Sequence, residues 1–180
     1  MAVRSSMAAL ITQARLLVND TDSLLFTDQQ VQDVLDQNAY AASYEPLNTL
    51  ESILPGGVLE YKEFQADQTY FEADTILTDS AFNEVTPDNS DFALGYFTFY
   101  TSQVIPLLIY GWYYDINNAA ADLWDMKASK YADQFDFAAD GGDFKLSQKV
   151  AQAKRQAVEF RAKSIKSSDM TIIERTDVIS

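Results

Sequence analysis

The spacing of apolar residues changes twice along this chain, from a helical period to a strand-like pattern and back. The apolar residues of the first stretch recur every three or four positions, which predicts an amphipathic helix. They are Met7, Leu10, Ile11, Ala14, Leu17 and Val18. Thr27-Asp28-Gln29-Gln30 predicts the capped start of a second helix. A short third helix would extend to about Ile53, and Pro55-Gly56-Gly57 then ends the helical pattern.

The middle of the chain is typical of antiparallel strands. Residues 58–65 are rich in Val and aromatic residues, and residues 95–100 combine aromatic residues with Thr. Thr86-Pro87-Asp88-Asn89 has the composition of a turn, and the run PLLIYG predicts a further strand. Residues 58–113 are therefore predicted to form a small β unit built from hairpins.

The helical period returns at residue 114. Asp115 suits the N-cap position of the next helix, and a last helix is predicted over residues 147–166. Residues 169–180 contain β-branched side chains without a helical stripe, which predicts an extended arm. The side chains expected to anchor the core are Leu17, Leu35, Leu123, Trp124, Phe135 and Phe160.

These segments predict an α+β, mainly helical fold in a single domain of 180 residues. We expect a bundle of about four to five helices with an inserted antiparallel β-hairpin unit and an extended C-terminal arm. The predicted parts are residues 1–57 and 114–168 for the two halves of the bundle, 58–113 for the β insertion and 169–180 for the arm.

Two absences from the composition exclude much catalytic chemistry. The chain has no His and no Cys, so by itself it supplies no disulfide, zinc site, Cys nucleophile or His general base. Paired carboxylates, such as Glu60 with Glu63 or Glu72 with Asp74, are what glycoside hydrolysis requires, but 27 acidic residues produce such pairs by chance. The sequence thus predicts a protein that is not an enzyme and has no cofactor.

An acidic cluster near residue 140 invites a comparison with Ca²⁺-binding loops. Its members are Asp133, Asp136, Asp140 and Asp143. With Asp136 in the first position of an EF-hand loop, the third position is Ala138 and the twelfth is Ser147, where that loop requires an oxygen ligand and a Glu. A helix end followed by a Gly-Gly turn explains the cluster more simply, so no metal is expected.

The charge of the chain is unevenly distributed. The net charge is −14, but residues 1–143 carry 5 basic and 23 acidic side chains, a net charge of −18, whereas residues 144–180 carry 8 basic and 4 acidic ones, a net charge of +4. An acidic body repels phosphates, which argues against sequence-specific DNA binding. The longest apolar run, residues 104–114, is too short to span a membrane, so no membrane partner is expected.

A family resemblance is carried by three stretches: ITQARLLVNDTDSLLFTDQQVQDVLDQNAYAAS, DFALGYFTFYTSQVIPLLIYGWYYDINNAAADLWDMKASKYA and FDFAADGGDFKLSQKVAQAKRQAVEFRAKS. These stretches resemble head-to-tail adaptor proteins (connector or head-completion proteins) of tailed bacteriophages. The most specific is the last, in which the order D-F-x-x-D-G-x-x-F-x-x-S-Q precedes a basic helix. The stretches cover much of residues 9–168, and residues 58–90 match least.

The resemblance implies a structural role in the phage neck, at the head-tail interface of a virion assembled in the host cytoplasm. Such adaptors form homo-oligomeric rings, usually of twelve copies, that bind the portal protein, extend the DNA channel and present a surface to stopper or tail proteins. Genomic DNA passes through such a channel without sequence-specific binding, which an acidic lining favours.

Two sets of contact residues follow from this resemblance. The residues expected to dock on the portal or a neighbour are Lys154, Arg155, Arg161, Lys163, Lys166, Thr171, Ile172 and Ile173. The residues expected at subunit or tail-facing contacts are Tyr70, Phe71, Phe97 and Phe99. Two alternatives stay open, which are another neck or tail-completion protein and an acidic DNA-mimic or inhibitor module.

Overall fold

A computed structural model describes residues 3–135 and 146–164, which fold into a helical half and a β half. The helices are α1 (Ala8–Val18), α2 (Asp28–Gln37), α3 (Ile116–Phe135) and α4 (Leu146–Arg161), with a short 3-10 helix at Ser5–Met7 before α1. The strands are β1 (Ala39–Pro46), β2 (Asn48–Ile53), β3 (Leu59–Gln65), β4 (Ile76–Thr78), β5 (Glu84–Val85), β6 (Asn89–Asp91), β7 (Tyr96–Thr98) and β8 (Leu108–Tyr114).

The helical half is organised around α3, which packs against α1, α2 and α4. Its core is apolar and contains Leu10, Ala14, Val31, Leu35, Ala120 and Leu123. The predicted start of α2 is confirmed, because Thr27 and Gln30 form a complete capping box. The predicted N-cap of α3 is also confirmed, since Oδ1 of Asp115 accepts a 2.9 Å hydrogen bond from the backbone N–H of Asn118.

The β half consists of two antiparallel four-stranded sheets. The strand order is β1-β8-β4-β5 in the first sheet and β2-β3-β7-β6 in the second. Both sheets contribute to one apolar core, which contains Phe64, Phe71, Leu77, Phe97, Leu107 and Ile109. Strand β8 runs into α3 after a single residue, Asp115, so the first sheet is joined directly to the helical half.

The prediction of a mainly helical bundle with a β insertion is wrong. The fold is α+β, and in the described residues two four-stranded sheets stand beside four helices. Residues 39–53, expected to be helical, form β1 and β2 instead. The apolar residues Ala39 and Ala42 fit a helical period, but β1 pairs along its length with β8, far away in the sequence. The hydrogen bonds and packing gained in that pairing outweigh the weak local helical preference.

Three predicted features lie outside the described residues. They are the C-terminal arm at residues 169–180, the turn at Asp140-Gly141-Gly142-Asp143 and the side chain of Asp133. Among the residues that the structure does describe, no helix is both long enough and apolar enough to cross a membrane.

Candidate functional site

A partly buried ion pair, with Glu72 on its buried side, fastens the N-terminal segment to the β half. Nε of Arg4 lies 2.9 Å from Oε1 of Glu72, and the same guanidinium makes two hydrogen bonds to Asp36, at 2.6 and 3.1 Å. Glu72 also accepts hydrogen bonds of 2.6 Å from the hydroxyls of Ser6 and Tyr114. We call these five residues the Arg4 clasp.

The clasp holds Glu72 in its ionised form. Burial of Glu72 favours the neutral acid, but hydrogen bonds from Ser6, Tyr114 and Arg4 outweigh that effect, so the pKa of Glu72 lies below its ordinary value. The same surroundings raise the pKa of the Tyr114 hydroxyl, through its burial and through its bond to Glu72. Both groups are therefore fixed in one protonation state near neutral pH, which is typical of a structural connection.

An exposed aromatic surface covers the outer side of the first sheet. In β8, Ile109 points into the β core, so Tyr110 and Trp112 alternate with the inward positions and face solvent. Trp112 is 51% exposed, and Asp74 is exposed next to it. Together with Tyr44, these residues form what we call the acidic aromatic face: Tyr44, Asp74, Tyr110 and Trp112.

A β-bulge positions Tyr44 on this face. The pairing of β1 with β8 shifts between Ser43 and Glu45, and Tyr44 adopts a left-handed backbone conformation with φ of 55°. The bulge brings its ring onto Tyr110, with centroids 4.9 Å apart and planes inclined by 26°. Phe82 packs edge-on against Tyr44 at 4.8 Å. A strained residue that extends an exposed aromatic surface is the kind of feature found at binding sites.

Trp112 lies between two shallow cavities. One, of about 390 Å³, lies on the side of the Arg4 clasp and is lined by Arg4, Asp36, Ala39, Glu72, Asp74, Trp112 and Tyr114. The other, of about 210 Å³, extends past Ala41, Ile76 and Tyr110. Asp74 and Trp112 line both. The first cavity contains three carboxylates and one guanidinium, so its net charge is negative and it favours a cationic ligand.

The described part of α4 carries the opposite charge. Ala153 and Ala157 are buried where the helix packs against α3. The side turned away is exposed, and we call it the basic helix face: Ala151, Lys154, Arg155 and Val158. Arg161, for which a neighbour contact is predicted, makes ion pairs of 3.0 and 2.6 Å with Asp122 and Asp125 of α3. It therefore fastens α4 to its own chain.

A third exposed surface is apolar. The hairpin of β2 and β3 carries five large aliphatic side chains that face solvent, Leu50, Ile53, Leu54, Val58 and Leu59. Ile53 is 73% exposed. The hairpin turns through Gly56 and Gly57, both at positive φ. Clustered aliphatic side chains at the end of a hairpin are a typical protein contact, although nothing in the hairpin specifies a partner.

Three of the four predicted subunit or tail-facing contacts are buried within the chain. Phe71, Phe97 and Phe99 are buried in the β core, and this prediction is corrected accordingly. Phe97 lies in β7 and Phe99 directly follows that strand, and both side chains belong to the β core, where aromatic area is removed from water. Tyr70 is half-buried and packs against the helical core.

The predicted core anchors divide by depth. Leu35 and Leu123 are fully buried, whereas Leu17, Trp124 and Phe160 are partly buried against the helical core. Nε1 of Trp124 donates a 3.2 Å hydrogen bond to the carbonyl of Leu17, which fixes its ring at the edge of that core. The side chain of Phe135 lies outside the described part, as do Lys166, Thr171, Ile172 and Ile173. Lys154, Arg155 and Lys163 are exposed.

Of the four carboxylates weighed as catalytic pairs, three bind other partners. Glu60 forms an ion pair of 2.8 Å with Lys62, and Glu63 accepts a 2.6 Å hydrogen bond from the hydroxyl of Tyr96. Glu72 belongs to the Arg4 clasp, while Asp74 lies on the acidic aromatic face. Across residues 3–135 and 146–164, no group of three or more acidic side chains has the geometry to hold a metal ion.

Sequence reasoning missed the acidic aromatic face. Tyr110, Trp112 and Tyr114 alternate along one strand, and this period of two was the signal that could have placed the first two outside the core. Asp74 and Tyr44 come to lie beside Tyr110 and Trp112 only because distant segments pair in the sheet.

In comparisons with known proteins, no family model, no curated protein and no solved structure matches this chain.

Proposed function

We propose that this chain is a structural subunit of the neck of a tailed bacteriophage. In this role, copies assemble as a ring beneath the portal, extend the DNA channel and connect the head to the tail. The proposal begins from the sequence resemblance of three stretches to head-to-tail adaptors. The separation of charge within the folded chain adds physical support to it.

The observation that carries the proposal is the presence of two oppositely charged exposed surfaces on one small fold. The acidic aromatic face lies on the first sheet, and the basic helix face lies on α4. A uniformly acidic coat would serve solubility alone, whereas separated positive and negative surfaces suit a subunit that contacts different neighbours on different sides. The apolar β2–β3 hairpin offers a further contact surface.

Reconstitution with the portal protein of the same particle tests the proposal. We expect the purified chain to be a monomer or weak oligomer alone, and to form a ring on the portal in negative-stain or cryo-electron microscopy. Light scattering of the mixture measures the copy number, and the portal of an unrelated phage serves as the control. A chain that stays monomeric and binds neither the portal nor the tail proteins contradicts the proposal.

Truncation tests the part of the proposal that concerns the arm. Deleting residues 169–180 is expected to leave the melting temperature unchanged and to weaken attachment to the portal. If the shortened chain unfolds, the arm belongs to the core and the docking role assigned to it is wrong.

A further inference from the structure

We propose that the acidic aromatic face of one copy binds the basic helix face of the next copy. This inference rests on the proposed ring, and it names the two surfaces that meet between neighbouring subunits. The occupant of the face is thus a second copy of this chain, and Arg155 is the residue that enters beside Trp112.

The acidic aromatic face has the chemistry that binds a guanidinium group. The exposed indole of Trp112 offers a π surface, and Asp74 places a carboxylate beside it. A guanidinium can stack on an indole while it donates hydrogen bonds to a carboxylate, which a lysine ammonium does less well. The surplus of carboxylates in the neighbouring cavity adds a favourable field.

The basic helix face supplies the matching groups. Lys154 and Arg155 are exposed, and Val158, one turn from them, is 66% exposed. A helix side that combines two cations with an exposed aliphatic residue complements a sheet surface that combines carboxylates with exposed rings. Ala151, one turn before Lys154 and Arg155, adds little bulk at the start of this helix side.

The two surfaces do not meet within the described part of one chain. Helix α4 packs against α3, and neither cavity beside Trp112 is lined by a residue of α4. Each copy can therefore bind one neighbour through its basic helix face and another neighbour through its acidic aromatic face. A contact between two different surfaces is heterologous, and repeating it produces a closed ring when the rotation between copies closes. A contact between identical surfaces would stop at a dimer.

Chemical crosslinking tests the pairing without disturbing the charges. The chain has no Cys, so cysteines placed by Ala41→Cys and Ala151→Cys are unique reporters on two exposed small residues. Ala41 lines the cavity beside Trp112, and Ala151 lies on the basic helix face. With a short bis-maleimide linker, portal-bound rings of the double variant should form covalent trimers and larger species. The matched control pairs Ala151→Cys with Ser90→Cys, at an exposed position in β6 of the second sheet.

Charge reversal tests the same pairing by its energetics. Asp74→Arg and Arg155→Glu should each weaken ring assembly on the portal by about tenfold, and the double variant should recover most of that loss. Asp22→Arg makes the same change of charge in the exposed loop between α1 and α2, outside the named surfaces, and should leave assembly unaffected. Both reversed residues are exposed, and circular dichroism and melting temperature check that each variant is folded.

The outcomes separate this inference from the proposed function. If no ring forms with the unmodified chain, the proposed function fails. If rings form but the reporter pair gives no covalent species, stops at dimers, or reacts no better than the control pair, the inference is overturned. It is overturned as well if Asp74→Arg abolishes binding of a basic segment of the portal while rings still form, because the occupant is then a different protein.

Discussion

Nε of Arg4 contacts Oε1 of Glu72 at 2.9 Å, although 68 positions separate the two residues in the sequence. Glu72 lies in the segment between β3 and β4, so the ion pair joins the start of the chain to the β half. Tyr114, the last residue of β8, donates to the same carboxylate. The Arg4 clasp therefore connects three parts of the fold at the junction of its helical and β halves.

Glu72→Gln should destabilise the fold by about 1–3 kcal/mol, because the buried acceptor loses its charge while Arg4, Ser6 and Tyr114 keep their donors. Asp36→Asn is the matched control. The Arg4 and Asp36 side chains are 41% and 36% exposed, whereas Glu72 is 2% exposed. Because the pair of Arg4 with Asp36 is exposed, Asp36→Asn should lower the free energy of unfolding by less than about 1 kcal/mol. Urea unfolding measures both, and an equal loss in the two variants contradicts this ranking.

The clasp also predicts how stability depends on pH. The pKa of Glu72 is lowered in the folded chain, so the unfolded chain binds the proton first as the pH falls below about 4.5, the ordinary value. The stabilisation from ionised Glu72 is complete above that pH and is lost as the pH falls through the folded pKa. The difference in unfolding free energy between the unmodified chain and Glu72→Gln should shrink over this range. If the unfolding free energies of the two proteins instead change in parallel with pH, the pKa of Glu72 is not lowered by folding and the prediction is wrong.

Thr27→Ala should lower stability by about 1 kcal/mol, because it removes the hydroxyl that accepts from the backbone N–H of Gln30 at 3.2 Å. Thr12→Ala is the control, since its hydroxyl bonds to the Ala8 carbonyl within an established helix and Ala has the higher helix propensity. Thermal unfolding compares the two. If Thr12→Ala lowers the stability as much as Thr27→Ala does, the capping hydrogen bond of Thr27 does not stabilise the helix.

Leu123→Ala should cost about 2–5 kcal/mol, because the side chain is fully buried where α3 meets the helical core. Leu24→Ala removes the same atoms from a side chain that is 82% exposed, and should change stability by less than about 0.5 kcal/mol. Denaturant titration measures the unfolding free energy of both variants, with the same dependence on denaturant concentration assumed for each. If the two variants lose similar amounts of unfolding free energy, Leu123 is not a central residue of the helical core.

Gly111→Ala should destabilise the first sheet by about 1–3 kcal/mol. A Cβ at position 111 would clash with Oγ1 of Thr75 and lie 2.8 Å from the Cβ of that buried residue. The melting temperature reports the loss, and fluorescence of the adjacent Trp112 reports a local shift of β8. An unchanged melting temperature would show that Thr75 relaxes freely.

Local patterns predicted where α2 and α3 begin. The capping box of Thr27 with Gln30 and the N-cap at Asp115 depend on residues within one turn, so the sequence contains the whole interaction. The strand prediction for residues 58–65 is confirmed by β3, where Val and aromatic content indicated extended backbone. The prediction for residues 39–53 failed, since β1 exists only through its pairing with β8.

By itself, then, the sequence determined the helices around α3, the chemistry excluded by the absence of His and Cys, and the opposite charges of its body and its C-terminal part. Only the tertiary structure decided that Phe97 is buried while Trp112 is exposed, and that Arg4 meets Glu72. The physical reason is distance along the chain. Helix caps and helical periods depend on near neighbours, whereas sheet pairing and ion pairs depend on which distant segments share a core.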